Sequence, residues 1–298
     1  MITLILWIVL ACLMAIIIVL SDKYDCSLGS AIAGALIAIF FEKAGKAAED
    51  IRDTNNWKKS QTKLKRGGFI NDDTVIRISF AYLYRIKIEN KYLLVHNLRN
   101  TGKYQPVGGV YKFQEKEKQK LKNLYHVMDD DKILIDESSR NDYRLRMENR
   151  YLRKFVDRFN DKKAARERVD NVGREFKEEL LKTGILNWDK ISYRYCGRHM
   201  TDLRFEEHFQ IYEMMLFDIV ELLPTRDQEK DLKYLMSREN DQYRFVTTDQ
   251  INYLGIDLST GKLNEWIGDH SKLTIQENES NLMKEPGVGN IYEVDLLI

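Results

Sequence analysis

Two long uncharged runs stand at the start of the chain, and they limit its fold more than any other feature. Residues Ile2–Leu20 and Cys26–Phe41 carry no charged side chain, and only five residues separate them. As helices they would be roughly 28 and 24 Å long, close to the hydrocarbon thickness of a bilayer. The first run lacks the basic residues that precede the apolar core of a cleaved signal peptide. The sequence therefore predicts a two-helix transmembrane hairpin over residues 1–41.

Basic residues after the hairpin predict its orientation. The short loop at 21–25 has one lysine, whereas residues 42–66 contain eight basic side chains. The positive-inside rule then places both termini in the cytoplasm, in a two-pass topology. We expect residues 42–66 to form a basic juxtamembrane linker helix, which either lies near anionic lipid head groups or binds a specific lipid. Over the whole chain 47 basic and 46 acidic side chains nearly cancel, so bulk charge indicates no class of partner.

The second uncharged run carries small residues at helical spacing. Ser30, Gly34 and Ala38 are four residues apart, and Gly29 precedes them. Small residues let helix backbones approach closely in lipid, where the hydrophobic effect does not drive association. These four are the predicted transmembrane packing residues. Their partner is either another copy of the chain, in a homo-oligomer, or the first helix of the same hairpin.

Residues 67–298 are predicted to form a domain of the α+β class. Apolar and polar residues alternate from Ile76 to Ile88, the period of a strand with one buried face, and a turn leads to a second strand at Tyr92–Asn97. Other stretches have apolar residues at helical spacing, and Gly184 would end one of them. Helices are predicted over 111–128, 140–160, 164–182 and 262–271, and further strands over 191–199, 207–221 and 243–246. Strands mixed with a few helices are typical of α+β domains.

Three glutamates lie on one face of the predicted 164–182 helix. Glu175, Glu178 and Glu179 are at positions i, i+3 and i+4, beside an apolar stripe that would pack on a sheet. Clustered carboxylates repel one another unless solvent or a cation compensates, and Mg²⁺ prefers such oxygen ligands. Glutamates on a helix are more commonly a solvated face, so both interpretations stay open.

The residues around these glutamates resemble the Nudix box, Gly-x5-Glu-x7-Arg-Glu-apolar-x-Glu-Glu-x-Gly-apolar. The chain reads Pro106-Val107-Gly108-Gly109, then Gly109-x5-Glu115, and later Arg174-Glu175-Phe176-Lys177-Glu178-Glu179. The resemblance implies a Nudix-like mixed-sheet domain, with Ile267–His270 in its closing helix. In Nudix hydrolases the glutamates hold divalent cations on a diphosphate and activate water. It therefore implies possible Mg²⁺ binding by Glu175, Glu178 and Glu179, with Glu178 catalytic if the chain is a hydrolase.

The box is interrupted in two places. The motif would place its arginine at position 123, but Arg174 lies 51 residues later, and four residues instead of one separate Glu179 from Gly184. The extra residues predict a helical insertion at about 116–166, which could form a wall or lid of the pocket or a surface for self-association. Glu115 either belongs to the box or matches it by chance. Since the geometry that holds a metal is interrupted, the motif favours a domain that is not an enzyme over a hydrolase, and we expect no required cofactor, with Mg²⁺ as a possible one.

A Nudix-like domain behind two transmembrane helices resembles one group in particular, the SMODS-associated Nudix effectors of bacterial cyclic-oligonucleotide antiphage signalling (CBASS). The resemblance implies that residues 67–298 sense a cyclic dinucleotide or oligonucleotide made by a cognate nucleotidyltransferase, with no DNA or RNA partner. The hairpin would then damage the bacterial inner membrane, leading to abortive infection. The alternative is a membrane-tethered, Mg²⁺-dependent Nudix hydrolase of nucleoside diphosphate derivatives. A scaffold with a degenerate domain is a third possibility.

The resemblance also implies where such a ligand would bind. Cyclic nucleotides present phosphates and bases, for which guanidinium groups and aromatic faces are the expected contacts. The predicted ligand-binding residues are Tyr82, Arg99, Tyr104, Gly108, Gly109, His199, Arg204 and His208. Tyr82 is also on the apolar face of its strand and could belong to the core. His199 and His208 lack a third ligand for zinc, and the three scattered cysteines fit a reducing compartment better than a disulfide framework.

Overall fold

The computed structural model describes residues 2–24, 27–52, 57–97, 102–133, 135–137, 139–238, 240–284 and 288–296. The chain divides into two compact units, residues 1–59 and residues 60–298. Each unit is described by itself.

The first unit contains two long helices that pack along each other, α1 (Ile2–Lys23) and α2 (Ser27–Arg52). Ala11 and Ala33 are buried between them, and the Trp7 and Phe40 rings lie 5.7 Å apart. Small side chains at 11 and 33 allow this close approach. Within the described residues one helix, at Leu4–Ser21 with a mean hydropathy of 3.1, is long and apolar enough to cross a membrane.

The predicted packing residues lie on α2, but Gly34 and Ala38 are outside the contact with α1. A Cβ atom added at Gly34 would meet no atom within 4 Å, and Ala38 is exposed. Gly29 is half-buried, and the side chain of Ser30 lies outside the described part. The edge of α2 that carries Gly34 and Ala38 is therefore available to another helix.

The predicted linker helix over 42–66 consists of two helical segments. α2 continues as far as Arg52, and α3 covers Trp57–Arg66. The residues between these two helices lie outside the described part of the chain. α3 has a strongly polar composition and ends in a basic last turn, as the charge pattern predicts.

The second unit contains two sheets and several short helices. Its strands are β1 (Val75–Arg85), β2 (Lys87–Ile88), β3 (Lys91–His96), β4 (Tyr104–Gln105), β5 (Gly108–Val110), β6 (Met128–Asp129), β7 (Arg144–Glu148), β8 (Lys190–Met200), β9 (Arg204–Glu206), β10 (Ile211–Leu222), β11 (Tyr243–Thr247) and β12 (Ile291–Asp295). The helices are α4 (Glu115–Tyr125), α5 (Leu152–Asn160), α6 (Gly173–Phe176), α7 (Arg226–Met236), α8 (Thr248–Asn252) and α9 (Ser271–Thr274). A π-helical turn, Lys177–Leu181, continues α6. Short 3₁₀ turns cover Asn149–Tyr151 and Glu279–Asn281.

The larger sheet is mixed and has eight strands. Its main order is β12-β8-β10-β1-β7-β6, with β5 also paired to β1 and β9 to β10. β1 runs parallel to β10 and antiparallel to β5 and β7. The alternating pattern predicts this strand, but β1 is central and buried on both faces, not on one. The predicted strand also ends at Arg85, and its last residues, 87–88, form β2 of the smaller sheet. The mixed sheet agrees with the predicted fold class.

The smaller sheet has four strands, in the order β11-β3-β2 with β4 paired to β3. Its apolar cluster includes Tyr92, Leu94 and Ile251, and Tyr104 joins the same cluster. Tyr104 also stacks on His96 with ring centroids 4.9 Å apart. This environment is that of a core tyrosine.

The chain between Gln114 and Ala165, predicted as a helical insertion, contributes strands β6 and β7 to the larger sheet as well as helices α4 and α5. Helix α5 in this segment places Phe155 and Phe159 in the core, both with no exposed surface. The ring of Phe159 lies 4.8 Å from that of Phe80 on β1. Aromatic side chains of this size bury a large apolar area. This part of the insertion is therefore an integral layer of the domain, because it covers one face of β1.

Three predicted helices differ from those in the structure. Residues 144–148 form β7, because Leu145 and Met147 alternate with half-buried polar residues. The helix predicted from 164 begins only at Gly173, since residues 164–172 bring the chain back from the insertion. Of the helix predicted over 262–271, only Ser271 is helical: Ile267 forms an extended bridge with Tyr104, and α9 begins at Ser271.

Candidate functional site

Two glycines of β5 lie at the centre of the split Nudix box. Gly109 pairs with Tyr82 across the β1–β5 ladder. A Cβ atom at Gly108, whose φ is +152°, would lie 2.3 Å from the Tyr82 carbonyl oxygen. At Gly109 it would lie 2.0 Å from the Glu175 carboxylate. Only glycine fits at 108, because the close neighbour is backbone and φ is positive. At 109 a side chain would displace the Glu175 carboxylate from its present position.

The carboxylates of Glu175 and Glu179 are directed at this turn. Glu179 Oε2 accepts a hydrogen bond from the Gly108 N–H at 2.9 Å. Glu175 Oε1 lies 2.6 Å from Arg174 Nη1, and Glu178 Oε2 lies 3.8 Å from the same atom. Burial raises the pKa of the Glu175 carboxyl, and the charge of Arg174 opposes that rise. The Gly108 backbone and the Arg174 guanidinium thus occupy the side of the helix that carries Glu175 and Glu179.

The arginine of the box is held by a glutamate that the sequence pattern did not identify. Arg174 Nε donates to Glu167 Oε1 at 2.7 Å, and Nη2 donates to Glu167 Oε2 at 3.1 Å. The Lys112 N–H donates to the same carboxylate at 2.9 Å. Such two-point pairing fixes a guanidinium in both position and plane.

Of the two interpretations of Glu115, the structure favours the chance match to the box. Glu115 is the first residue of α4 and is exposed, and Glu167 pairs with Arg174 in its place. Six residues separate Glu167 from Arg174, one fewer than the motif has. The sequence signal that identifies Glu167 is a Glu-x6-Arg spacing whose arginine is Arg174, the first residue of the second half of the box.

The two halves of the box meet at the base of the insertion, which we call the insertion stem (Lys112–Gln114 with Ala165–Glu167). The Gln114 N–H donates to the Ala165 carbonyl at 2.8 Å, and the Glu167 N–H donates to the Lys112 carbonyl at 2.8 Å. Phe113 and Arg166 form an antiparallel bridge between them. The long interruption in sequence is thus closed in space, and Glu167 reaches Arg174 because of it.

The carboxylates, as arranged, do not fit the divalent cation that a Nudix box implies. Among the described residues no group of three or more His, Cys, Asp or Glu side chains is placed to hold a metal ion. Glu175 faces a guanidinium and Glu179 accepts from a backbone N–H. A hard cation requires several oxygen ligands converging on one point. We derive no catalytic step through a metal here.

A cleft of about 590 Å³ lies between the insertion stem and the α6 segment. We call it the stem cleft. Its charged lining consists of six cations, Lys112, Arg166, Arg168, Arg174, Lys177 and Lys182, and three carboxylates, Glu167, Asp170 and Glu178. Its volume is in the range of small-molecule sites. The helix that begins at Gly173 therefore has two different sides. The side with Glu175 and Glu179 contacts the rest of the domain and is called closed, and the side with Lys177 and Lys182 faces the cleft and is called open.

Of the predicted ligand-binding residues, the structure brings Tyr82, Gly108 and Gly109 together with the glutamates. Tyr82 is fully buried, and its hydroxyl oxygen accepts from the Glu175 N–H at 3.3 Å. Burial raises the pKa of the Tyr82 hydroxyl well above its ordinary value, so it stays protonated. Tyr82 therefore lies in the core beneath the site, where its hydroxyl contacts the backbone of Glu175.

The other predicted ligand residues lie elsewhere. Tyr104 belongs to the smaller sheet, and His199 is buried on β8 opposite Phe217. Arg204 is opposite Glu213 on β10, and Glu213 is opposite Arg77 on β1. Because Arg77 precedes Tyr82 by five strand residues, Arg204 lies about 16 Å from Tyr82 along the strand direction. His208 is exposed in the turn after β9, and Arg99 is outside the described residues.

A known protein family matches most of the chain. The family described as the SMODS-associated NUDIX domain matches residues 75–275, more than half of the chain. No curated protein matches the chain. The matched region begins at the first residue of β1 and includes the split box, the insertion and the smaller sheet.

Proposed function

This chain belongs to the SMODS-associated NUDIX domain family, and we propose on that premise that it is a membrane-disrupting effector of a CBASS antiviral system. The family membership supports a CBASS-type effector or a Nudix-related function. In the proposal the Nudix domain binds a cyclic dinucleotide or oligonucleotide from a cognate nucleotidyltransferase. Binding then leads to damage of the bacterial inner membrane and to abortive infection.

One observation carries this proposal: a SMODS-associated Nudix domain and a membrane-compatible helix occur on the same chain. In α1, Leu6, Ile16 and Val19 are 52%, 55% and 67% exposed. An apolar helix this exposed is unfavourable in water and favourable in lipid. In the proposal α2 crosses the bilayer as well, and the basic residues after it keep both termini in the cytoplasm.

Membrane damage by this hairpin would require several chains. The two uncharged runs contain no charged residue that could line an aqueous path, so a single chain cannot form one. The exposed edge of α2 at Gly34 and Ala38 is the proposed contact between copies. In this scheme the nucleotide shifts the population of the protein toward the assembled state.

A membrane-tethered Nudix hydrolase is the second candidate. The observation that favours it is that Glu175, Glu178 and Glu179 occupy box positions beside Gly108 and Gly109. Against it, Arg174 and the Gly108 N–H already engage the Glu175 and Glu179 carboxylates. We therefore favour a sensor that uses the Nudix fold for binding.

The test uses the full chain in phosphatidylethanolamine–phosphatidylglycerol vesicles loaded with a self-quenched dye. A panel of cyclic di- and trinucleotides is added, with the corresponding linear dinucleotides as controls. Dye release by a cyclic but not a linear member is the expected result. If no member releases dye, and the protein instead hydrolyses nucleoside diphosphate derivatives with Mg²⁺, the hydrolase takes precedence.

Topology is tested separately with reporter fusions placed after residue 60. A cytoplasmic reporter is expected to be active there and a periplasmic reporter inactive, because the basic flank remains inside. The reverse pattern would contradict the two-pass arrangement.

A further inference from the structure

We propose that the stem cleft binds phosphate groups directly, without a divalent cation. This goes beyond the proposed function in naming a binding site, and it rests on that function only in assigning the phosphates to the cyclic nucleotide. The occupant is an anion with two or more phosphate groups. Such a ligand would contact Arg168, just after the insertion stem, and Lys182, just after the π-helical turn, at once.

The charges of the cleft favour an anion. Glu167 is neutralised by its two-point pairing with Arg174, and Glu178 lies 3.8 Å from the same guanidinium. Asp170 Oδ2 is 3.5 Å from Arg168 Nε. Glu167 and Glu178 share Arg174, and the lining has six cations to three carboxylates. Two carboxylates outside the lining, Glu175 beside Arg174 and Asp142 beside Lys112, reduce this excess but do not reverse it. The excess positive charge attracts an anionic ligand.

Arg168 supplies an unused donor. Its Nη1 is buried and has no hydrogen-bond partner among the described residues. A buried guanidinium N–H without an acceptor is unfavourable, whereas a phosphate oxygen would satisfy it. The side chain as a whole is 24% exposed and lines the cleft, so a small rotation of the guanidinium would bring Nη1 to a ligand there.

The π-helical turn after α6 places two lysines on the same side. In an α-helix, at 3.6 residues per turn, Lys177 and Lys182 would point about 140° apart. Here the Lys182 N–H donates to the Lys177 carbonyl at 2.9 Å, an i→i+5 bond that widens the turn. Both lysines consequently line the stem cleft. π-turns of this kind are frequent at functional sites.

The opposite wall is rigid. Lys112 Nζ is held by Asp142 and by the Arg140 carbonyl, each at 2.8 Å, and Arg166 Nε donates to the Phe159 carbonyl at 2.8 Å. Lys112 and Arg166 add to the positive electrostatic potential of the cleft. Their donors, however, are largely engaged by acceptors within the domain. Direct contact with phosphate is therefore assigned to Arg168 and Lys182.

The experiment measures binding of inorganic pyrophosphate to the full chain in detergent, by isothermal titration calorimetry with EDTA present. The test protein is the double variant Arg168→Gln/Lys182→Gln. The control is Arg238→Gln/Lys162→Gln, which removes the same charge from two exposed residues outside the cleft. Loss of two charge-assisted hydrogen bonds should weaken binding at least about tenfold in the test protein and less than about twofold in the control.

Equal weakening in both variants, or undiminished binding in the test protein, would overturn the site. Lys182→Gln alone guards against misfolding, because Lys182 is exposed, and it should weaken binding about threefold. Vesicle dye release by a cyclic nucleotide is measured on the same proteins. Release that persists in the test protein overturns the assignment of the messenger to the cleft. Cleft-dependent pyrophosphate binding in a protein that never releases dye supports the cleft and counts against the effector function.

Discussion

The two sides of the helix that begins at Gly173 differ in what they can still bind. On one side Glu175 and Glu179 contact Arg174 and the Gly108–Gly109 turn, and no space remains between them. On the other side Lys177 and Lys182 face an open cleft. The acidic side that gives the Nudix box its pattern is thus used inside the domain, whereas the basic side faces solvent.

α2 shows the same contrast in an apolar setting. Ala33 is buried against α1, whereas its neighbour Gly34 faces open space. In both helices one side stabilises the chain's own fold and the other is available to a ligand or a second copy. New contacts are therefore expected on the open side of each helix. Substitutions on the open and closed sides, made separately, test this expectation.

The largest effect is expected on the open side of α2. Gly34→Leu should abolish dye release from vesicles while leaving cyclic-nucleotide binding unchanged, because the bulky side chain holds neighbouring chains apart. Ile32→Leu is the matched control, since Ile32 is 55% exposed and already bulky, and it should release dye normally. Undiminished release by a normally expressed Gly34→Leu protein would exclude this edge as the contact.

On the closed side of the Nudix helix, Gly108→Ala should destabilise the domain by about 3 kcal/mol or more, because the new methyl group meets the Tyr82 carbonyl oxygen. Gly268→Ala is the control, since a Cβ there makes only ordinary contacts, the nearest at 3.6 Å. Denaturant unfolding followed by tryptophan fluorescence measures both. Similar stability of the two variants would show that the turn is looser than described.

Glu167→Gln should lower the free energy of unfolding by about 2 kcal/mol, since it removes the charge that holds Arg174. Glu115→Gln, at the exposed start of α4, should change it by less than about 0.5 kcal/mol. The same unfolding assay compares the two. If Glu115→Gln had the larger effect, Glu115 and not Glu167 would be the box glutamate.

The smallest effect is expected from Glu178→Gln. The carboxylate lies between the two sides, 31% exposed and 3.8 Å from Arg174, so its charge should change dye release by less than about twofold. Diphosphate hydrolysis by the wild-type protein with Mg²⁺ is expected to be negligible. Turnover of about 1 s⁻¹ or faster that disappears in this variant would establish the hydrolase instead.

Features that depend on neighbouring residues were predictable from the sequence. The alternation from Ile76 to Ile88 predicted β1, and the uncharged run at Ile2–Leu20 predicted the apolar α1. The Pro-x-Gly-Gly turn and the glutamate spacing predicted a Nudix domain, which the family match confirms. Helical spacing failed at 144–148, because a strand with one buried face uses the same apolar residues at a shorter period.

Local periods, a motif and the sign of charge along the chain could be read from the amino-acid order, because each depends on residues a few positions apart. The pairing of Arg174 with Glu167, and not with Glu115, follows from the fold, since it depends on where the chain returns from the insertion to the stem. The fold alone also decided which side of each helix is closed. Lys112, Arg168 and Lys182 line the stem cleft together, although they are far apart in sequence, and only folding makes them neighbours.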